Sequence, residues 1–86
     1  MPVRLSARFK EKNNHLPYVI QSKVKKALKL LDADFRHPGL RSHPIHGYEG
    51  IYEAYLDDKY RMTYESKGGL LIMRNIDNHD ECLKNP

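Results

Sequence analysis

Three stretches of this sequence hold side chains able to move protons or grip a phosphate. The first is Asp77-Asn78-His79-Asp80-Glu81, a polar run that follows an apolar one and so falls where a buried strand ends. Histidine titrates near neutral pH and both donates and accepts protons, which makes His79 a candidate general acid or base. The second is the alternating stretch from Glu53 to Glu65, in which an acid (Glu53), a phenol (Tyr55) and a guanidinium (Arg61) recur on one side of the chain. The third is His43-Pro44-Ile45-His46. In extended chain its spacing sends the two imidazoles to opposite faces, and no cysteine pair or acid stands at ligand spacing, so no metal site is expected.

The elements that must position these groups are legible from periodicity. Val3 to Arg8 alternates like a half-buried strand, and Phe9 to His15 is a short polar segment with room for two helical turns. Leu16-Pro17 then opens the main helix, because proline suits a first turn. Ile20, Val24, Ala27, Leu28 and Leu31 form its buried stripe, with lysines opposite. Arg36-His37-Pro38-Gly39 cannot continue a helix, so it stops by Phe35. Tyr48 to Leu56, Tyr60 to Glu65 and Leu70 to Ile76 read as antiparallel strands joined at Asp57-Asp58-Lys59 and Lys67-Gly68-Gly69. A three-residue first loop sets Leu56 opposite Tyr60, Ala54 opposite Met62 and Tyr52 opposite Tyr64, a core side, and leaves Glu53, Tyr55, Arg61, Thr63 and Glu65 on the other. That other side reads first as a solvated face with a Glu53–Arg61 diagonal pair, and otherwise as a working surface. A two-residue turn at Lys67-Gly68 puts Arg74 opposite Arg61, where an anion would relieve the repulsion. A three-residue turn through Gly69 instead sends Arg74 toward the core, which is the costlier arrangement.

At 86 residues the chain has room for one domain, spanning 1–86, and not for a two-domain enzyme. A single cysteine, Cys82, gives no internal disulfide and suits a cytoplasmic protein. The longest apolar run, Leu70 to Met73, is too short for a membrane span. The net charge of +4 is unevenly spread: the eight basic residues up to position 31 face one acid, Glu11, while the rest of the chain is net acidic. A basic half suits a phosphate backbone or an acidic protein partner, and also suits the plain outer face of a helix.

In the order strand, helix, helix, antiparallel sheet, the stretches Leu16-Pro17, RHPGLRSH from Arg36, GIYEAYLDDKYRMTYE from Gly50 and NIDNHDECLK from Asn75 resemble the RelE/ParE superfamily of bacterial toxin–antitoxin modules. The resemblance covers nearly the whole chain. It implies an α+β, RelE-like fold, with an N-terminal strand and one or two helices packed on one face of a mostly antiparallel twisted sheet. It also implies a toxin neutralised by a cognate antitoxin, acting on the ribosome as a metal-independent endoribonuclease of mRNA, without a cofactor. In that chemistry a base takes the 2′-hydroxyl proton, a cation steadies the attacked phosphate and an acid protonates the leaving 5′-oxygen.

Carried over by position, Arg61 matches the arginine that would hold the phosphate and His79 the C-terminal position expected to be the acid. Asp80 would orient His79 or cap the tail, and the base is His46 or Glu53. RNA contacts are expected from Lys23, Lys26, Arg41, His43, Tyr55 and Arg74. The lysines that RelE carries on the strand before the arginine are matched here by Tyr52 and Ala54. His43 and His46 would then replace those groups, or the chain would follow the ParE-like branch, which inhibits DNA gyrase and cuts nothing. An inactive, RNA-binding relative is the third alternative.

Overall fold

A computed structural model describes residues 2–86. Among these residues five strands form one sheet in the order β1-β5-β4-β3-β2: β1 (Val3–Leu5), β2 (His43–Pro44), β3 (Ile51–Tyr55), β4 (Tyr60–Lys67) and β5 (Leu70–Asn78). All neighbours are antiparallel except β1 and β5, which pair in parallel at Val3–Leu71 to Leu5–Met73. Three helices accompany them: α1 (Ala7–Asn14), α2 (Tyr18–Ala33) and α3 (His79–Lys84). No helix of the described residues is long and apolar enough to cross a membrane.

The first strand is shorter than its alternation predicts because Ser6 turns the chain into α1. Its hydroxyl accepts from the Phe9 amide at 3.1 Å, an N-cap that satisfies one of the free donors of the first turn. Beyond β1, α1 runs beside the second half of β5: Arg8 donates to the Arg74 carbonyl at 2.8 Å and Lys12 reaches Asp77 at 2.6 Å. Helix α2 follows Pro17 and lays Val24, Ala27 and Leu31 on the sheet. They join Phe9, Leu40, Ala54, Met62, Tyr64, Leu71, Met73 and Ile76 in the buried core.

The first hairpin has the register its sequence predicts, with Tyr52 opposite Tyr64 and Ala54 opposite Met62. The two tyrosine rings stack at 5.4 Å. Its turn is fastened by Asp57, whose carboxylate accepts from the Lys59 and Tyr60 amides and pairs with Lys23 of α2 at 2.9 Å. Burial alone would raise the Asp57 carboxyl, but the Tyr60 amide, the Lys23 ammonium and the Lys59 amide hold it below its ordinary value of 3.8. Asp77 is likewise lowered: burial raises it, and Lys12 and the Asn78 amide outweigh that. A carboxyl depressed in the folded state stabilises the fold above its unfolded value, and that contribution is lost as acid protonates it. The melting temperature is therefore expected to fall below about pH 4. Asp57→Asn should start lower at neutral pH and lose less on acidification, as thermal melts from pH 6 to pH 2 would read.

The second hairpin departs from expectation. Its turn is Gly68-Gly69, both at positive φ (57° and 80°), with Lys67 opposite Leu70. Two consecutive left-handed residues match the twist of a tight hairpin, and glycine adopts them without a Cβ clash. The ladder then shifts by one between Thr63 and Tyr64, so that Arg74 is the extra residue of a bulge and Arg61 faces Asp77. Arg74 is thus not opposite Arg61. It pairs with Glu65 at 3.2 Å and donates to the main-chain oxygen of Pro86 at 3.1 Å.

The polar sheet face is not left open either. Helix α3 lies over it, with Cys82 buried and its thiol donating to the Arg61 carbonyl at 3.5 Å. Helices therefore occupy both faces, and Glu53, Arg61, Thr63 and Asn75 are buried polar residues beneath the second.

Candidate active site

Alternation along β3 turns Ala54 into the core and leaves Glu53 and Tyr55 on the polar face, opposite Thr63 and Arg61 of β4. The two-residue strand β2 adds His43 directly opposite Glu53. From the far side, Asn78 caps α3 by accepting from the Glu81 amide at 3.0 Å, and the His79 amide donates to the Lys59 carbonyl at 3.0 Å. These anchors bring His79 to the same carboxylate. Glu53 is 1% exposed, with Oε1 3.3 Å from His43 Nε2 and Oε2 3.5 Å from His79 Nδ1, while both imidazoles are half exposed. Residues 79, 53 and 43, scattered along the chain, meet at one point.

They line a groove of about 360 Å³, walled by His43, Pro44 and Ile45, by His46 and Tyr48 of the following loop, and by His79 and Leu83 of α3. Tyr48 is 46% exposed. The groove thus carries three imidazoles and an aromatic ring over a buried carboxylate. Among the described residues no cluster of three or more His, Cys, Asp or Glu is arranged to hold a metal ion.

Arg61 shares the sheet face of Glu53 but does not line the groove. Its guanidinium lies 3.6 Å over the Tyr55 ring, and Nη1 donates to the carbonyls of Asp57 and Tyr60. Nε and Nη2 make no hydrogen bond to the described residues, and Nε is buried. Arg41, held in the left-handed region at φ 48°, places its own guanidinium 5.4 Å from the same ring, and His43 meets that ring edge-on at 6.4 Å. Tyr55 is therefore a platform for cations rather than an open stacking surface, and it gathers Arg41, Arg61 and His43 at one end of the groove.

The other sequence candidates fall elsewhere. Asp80 is exposed in the first turn of α3, makes no hydrogen bond or ion pair with the described residues, and leaves Glu53 as the acid beside His79. Lys23 and Lys26 sit on α2, across the sheet from the groove, and Lys23 is engaged by Asp57. Arg74 belongs to the cluster with Glu65, Arg8 and Pro86. Cys82 is no nucleophile: burial pushes its thiol up to about 11. Sequence reasoning missed Tyr48 and Leu83 as walls. Asn78 followed three residues later by Glu81 is a helix-start pattern that signals α3 and hence the Leu83 wall.

No protein-family model and no curated protein matches the sequence. Solved structures do match. A chain of the RelB–RelE antitoxin–toxin complex from Methanococcus jannaschii superposes with a TM-score of 0.77 at 19% identity, over 91% of this chain and 92% of that one. YafQ from E. coli strain BL21(DE3) gives 0.72 at 16%, over 92% and 93%. The YoeB/ParE toxin from Agrobacterium tumefaciens gives 0.75 at 13%, over 92% and 99%.

Proposed function

We propose, from the premise that the fold of this chain is that of the RelE/ParE toxins, that it is the toxin of a toxin–antitoxin pair and cleaves mRNA on the ribosome without a metal. The observation that carries the reading is the convergence of His43, His46 and His79 on one groove beside the Tyr55-centred cations. Transphosphorylation needs a proton acceptor for the 2′-hydroxyl, a proton donor for the 5′-oxygen and positive charge at the phosphate. As the new bond from O2′ to phosphorus forms, the bond from phosphorus to O5′ breaks; one imidazole takes the first proton and another gives the second. His46 and His79 form this acid–base pair. His43 and Arg41 supply the charge, and Arg61, buried against Tyr55, adds to it from behind the groove. Glu53 is too deeply buried to reach a hydroxyl and does not serve as the base.

The partner is a cognate antitoxin. Val3, Leu5 and Leu28 line a shallow apolar groove flanked by Lys25 and Lys29, and Tyr18 and Val19 are strongly exposed at the start of α2. An acidic, amphipathic antitoxin segment fits that surface.

Induced expression without the antitoxin should stop translation and leave defined cuts in messengers. Continued translation with failing DNA supercoiling would replace this reading by gyrase inhibition. Neither effect would leave an RNA-binding protein without nuclease activity.

A further inference from the structure

Glu53 is an unusual residue to bury. Its carboxylate is 1% exposed, and Oε2 makes no hydrogen bond to the described residues. An isolated buried carboxylate is costly, so its neighbours must answer its charge. Those that face it are His43 from β2, Arg61 and Thr63 from β4, and His79 and Cys82 from α3. Arg61 is turned to the loop carbonyls and Tyr55, the Thr63 hydroxyl makes no hydrogen bond to the described residues, and Cys82 stays a neutral thiol. The two imidazoles are left, one at each oxygen.

We propose that Glu53 is a positioning residue that sets the proton pattern of both histidines: His79 carries its proton on Nδ1 and presents a bare Nε2 to the groove, whereas His43 is held protonated on both nitrogens. The reasoning is one of charge and lone pairs. A carboxylate 3.3–3.5 Å from a ring nitrogen favours hydrogen on that nitrogen by its charge, although neither contact is aligned as a hydrogen bond. For His79 the facing atom is Nδ1, which leaves Nε2 as the free acceptor. For His43 the facing atom is Nε2, while Nδ1 lies 2.9 Å from the Arg41 carbonyl, a group that can only accept. Hydrogen is thus favoured on Nε2 by the Glu53 charge and on Nδ1 by the Arg41 carbonyl, and this ring is assigned as the cation.

This rests on the proposed nuclease reading only where it assigns reaction roles. Within that reading His79 becomes the base that takes the 2′-hydroxyl proton on Nε2, in place of the acid its position suggests. His46, the other groove imidazole, becomes the donor to the 5′-oxygen, and His43 is a fixed charge.

The test is the ¹⁵N spectrum of the histidine rings in the folded protein without RNA. Two other histidines calibrate it: Nδ1 of His15 faces the Glu11 carbonyl at 2.8 Å, and Nδ1 of His37 accepts from the Gly39 amide at 3.1 Å, so they report opposite tautomers. The expected result at pH 7 is Nδ1–H with bare Nε2 at His79, and two protonated nitrogens at His43. Glu53→Gln should move both signals and leave His15 and His37 in place, with Glu53→Asp recovering part of the pattern. An Nε2–H tautomer at His79, or a neutral His43, overturns the proposal from the wild-type spectrum alone, whether or not the variants fold. In cleavage assays Glu53→Gln should lower the rate by roughly 10²-fold or more with substrate binding little changed. If the spectrum is as expected and the wild-type protein cuts no messenger, the nuclease reading fails and the positioning role stands.

Discussion

His79→Ala is expected to lower messenger cleavage by on the order of 10²–10⁴-fold, the range that a positioned general acid or base contributes. The folded state should hardly notice, because the His79 ring is half exposed and it is the main-chain amide that anchors the residue to the Lys59 carbonyl. Matched thermal melts and cleavage by purified protein on translating ribosomes would read the two effects separately. Cleavage by His79→Ala at the wild-type rate would remove this residue from the reaction and with it the acid–base pair proposed above. Arg61→Ala makes the instructive contrast. Its guanidinium is buried, stacked on Tyr55 and hydrogen-bonded to its own hairpin loop, so the substitution should cost activity and stability together. Of these two, His79 is the one that separates chemistry from folding.

Phe9→Ala is expected to have the largest effect on stability. Phe9 is 0% exposed and is the only buried residue that α1 contributes to the core. Truncating a buried phenylalanine removes its transfer free energy and leaves a cavity, together about 3–5 kcal/mol. A domain of this size has a total stability of only roughly 4–13 kcal/mol, so the melting temperature should fall by about 15–30 °C. Calorimetry or denaturant titration would measure it. A loss below about 1 kcal/mol would mean that α1 is not integral to the core.

How much of this arrangement was legible depended on which physical signal set each part. The Tyr52–Tyr64 and Ala54–Met62 pairs follow from a loop length and a period of two, both written locally, and the register is as read. The stripe of α2 is legible for the same reason. The second hairpin differs from its reading because its two adjacent glycines permit a two-residue turn at either of two positions, and because the bulge that displaces Arg74 answers to packing across the sheet. The meeting of His43 with Glu53 leaves no mark in the sequence: β2 is two residues long and one of them is proline, which no strand pattern marks. The polar face looked solvent-exposed because its residue types are those of a solvated sheet. Its burial comes from α3, whose starting pattern at Asn78 is short and stands at the end of an already polar stretch. Local rules thus located the side chains, and long-range packing decided which of them meet.

The parallel pairing of β1 with β5 governs the order in which the molecule can assemble. Its partners, Val3 to Leu5 and Leu71 to Met73, lie far apart in the sequence, so the sheet acquires its outer edge only by a long-range closure. Long-range closure of this kind is slow compared with hairpin or helix formation. The edge strand is therefore expected to dock after the β3–β4 and β4–β5 hairpins have formed, with amide protection along Val3 to Leu5 the last to appear on refolding.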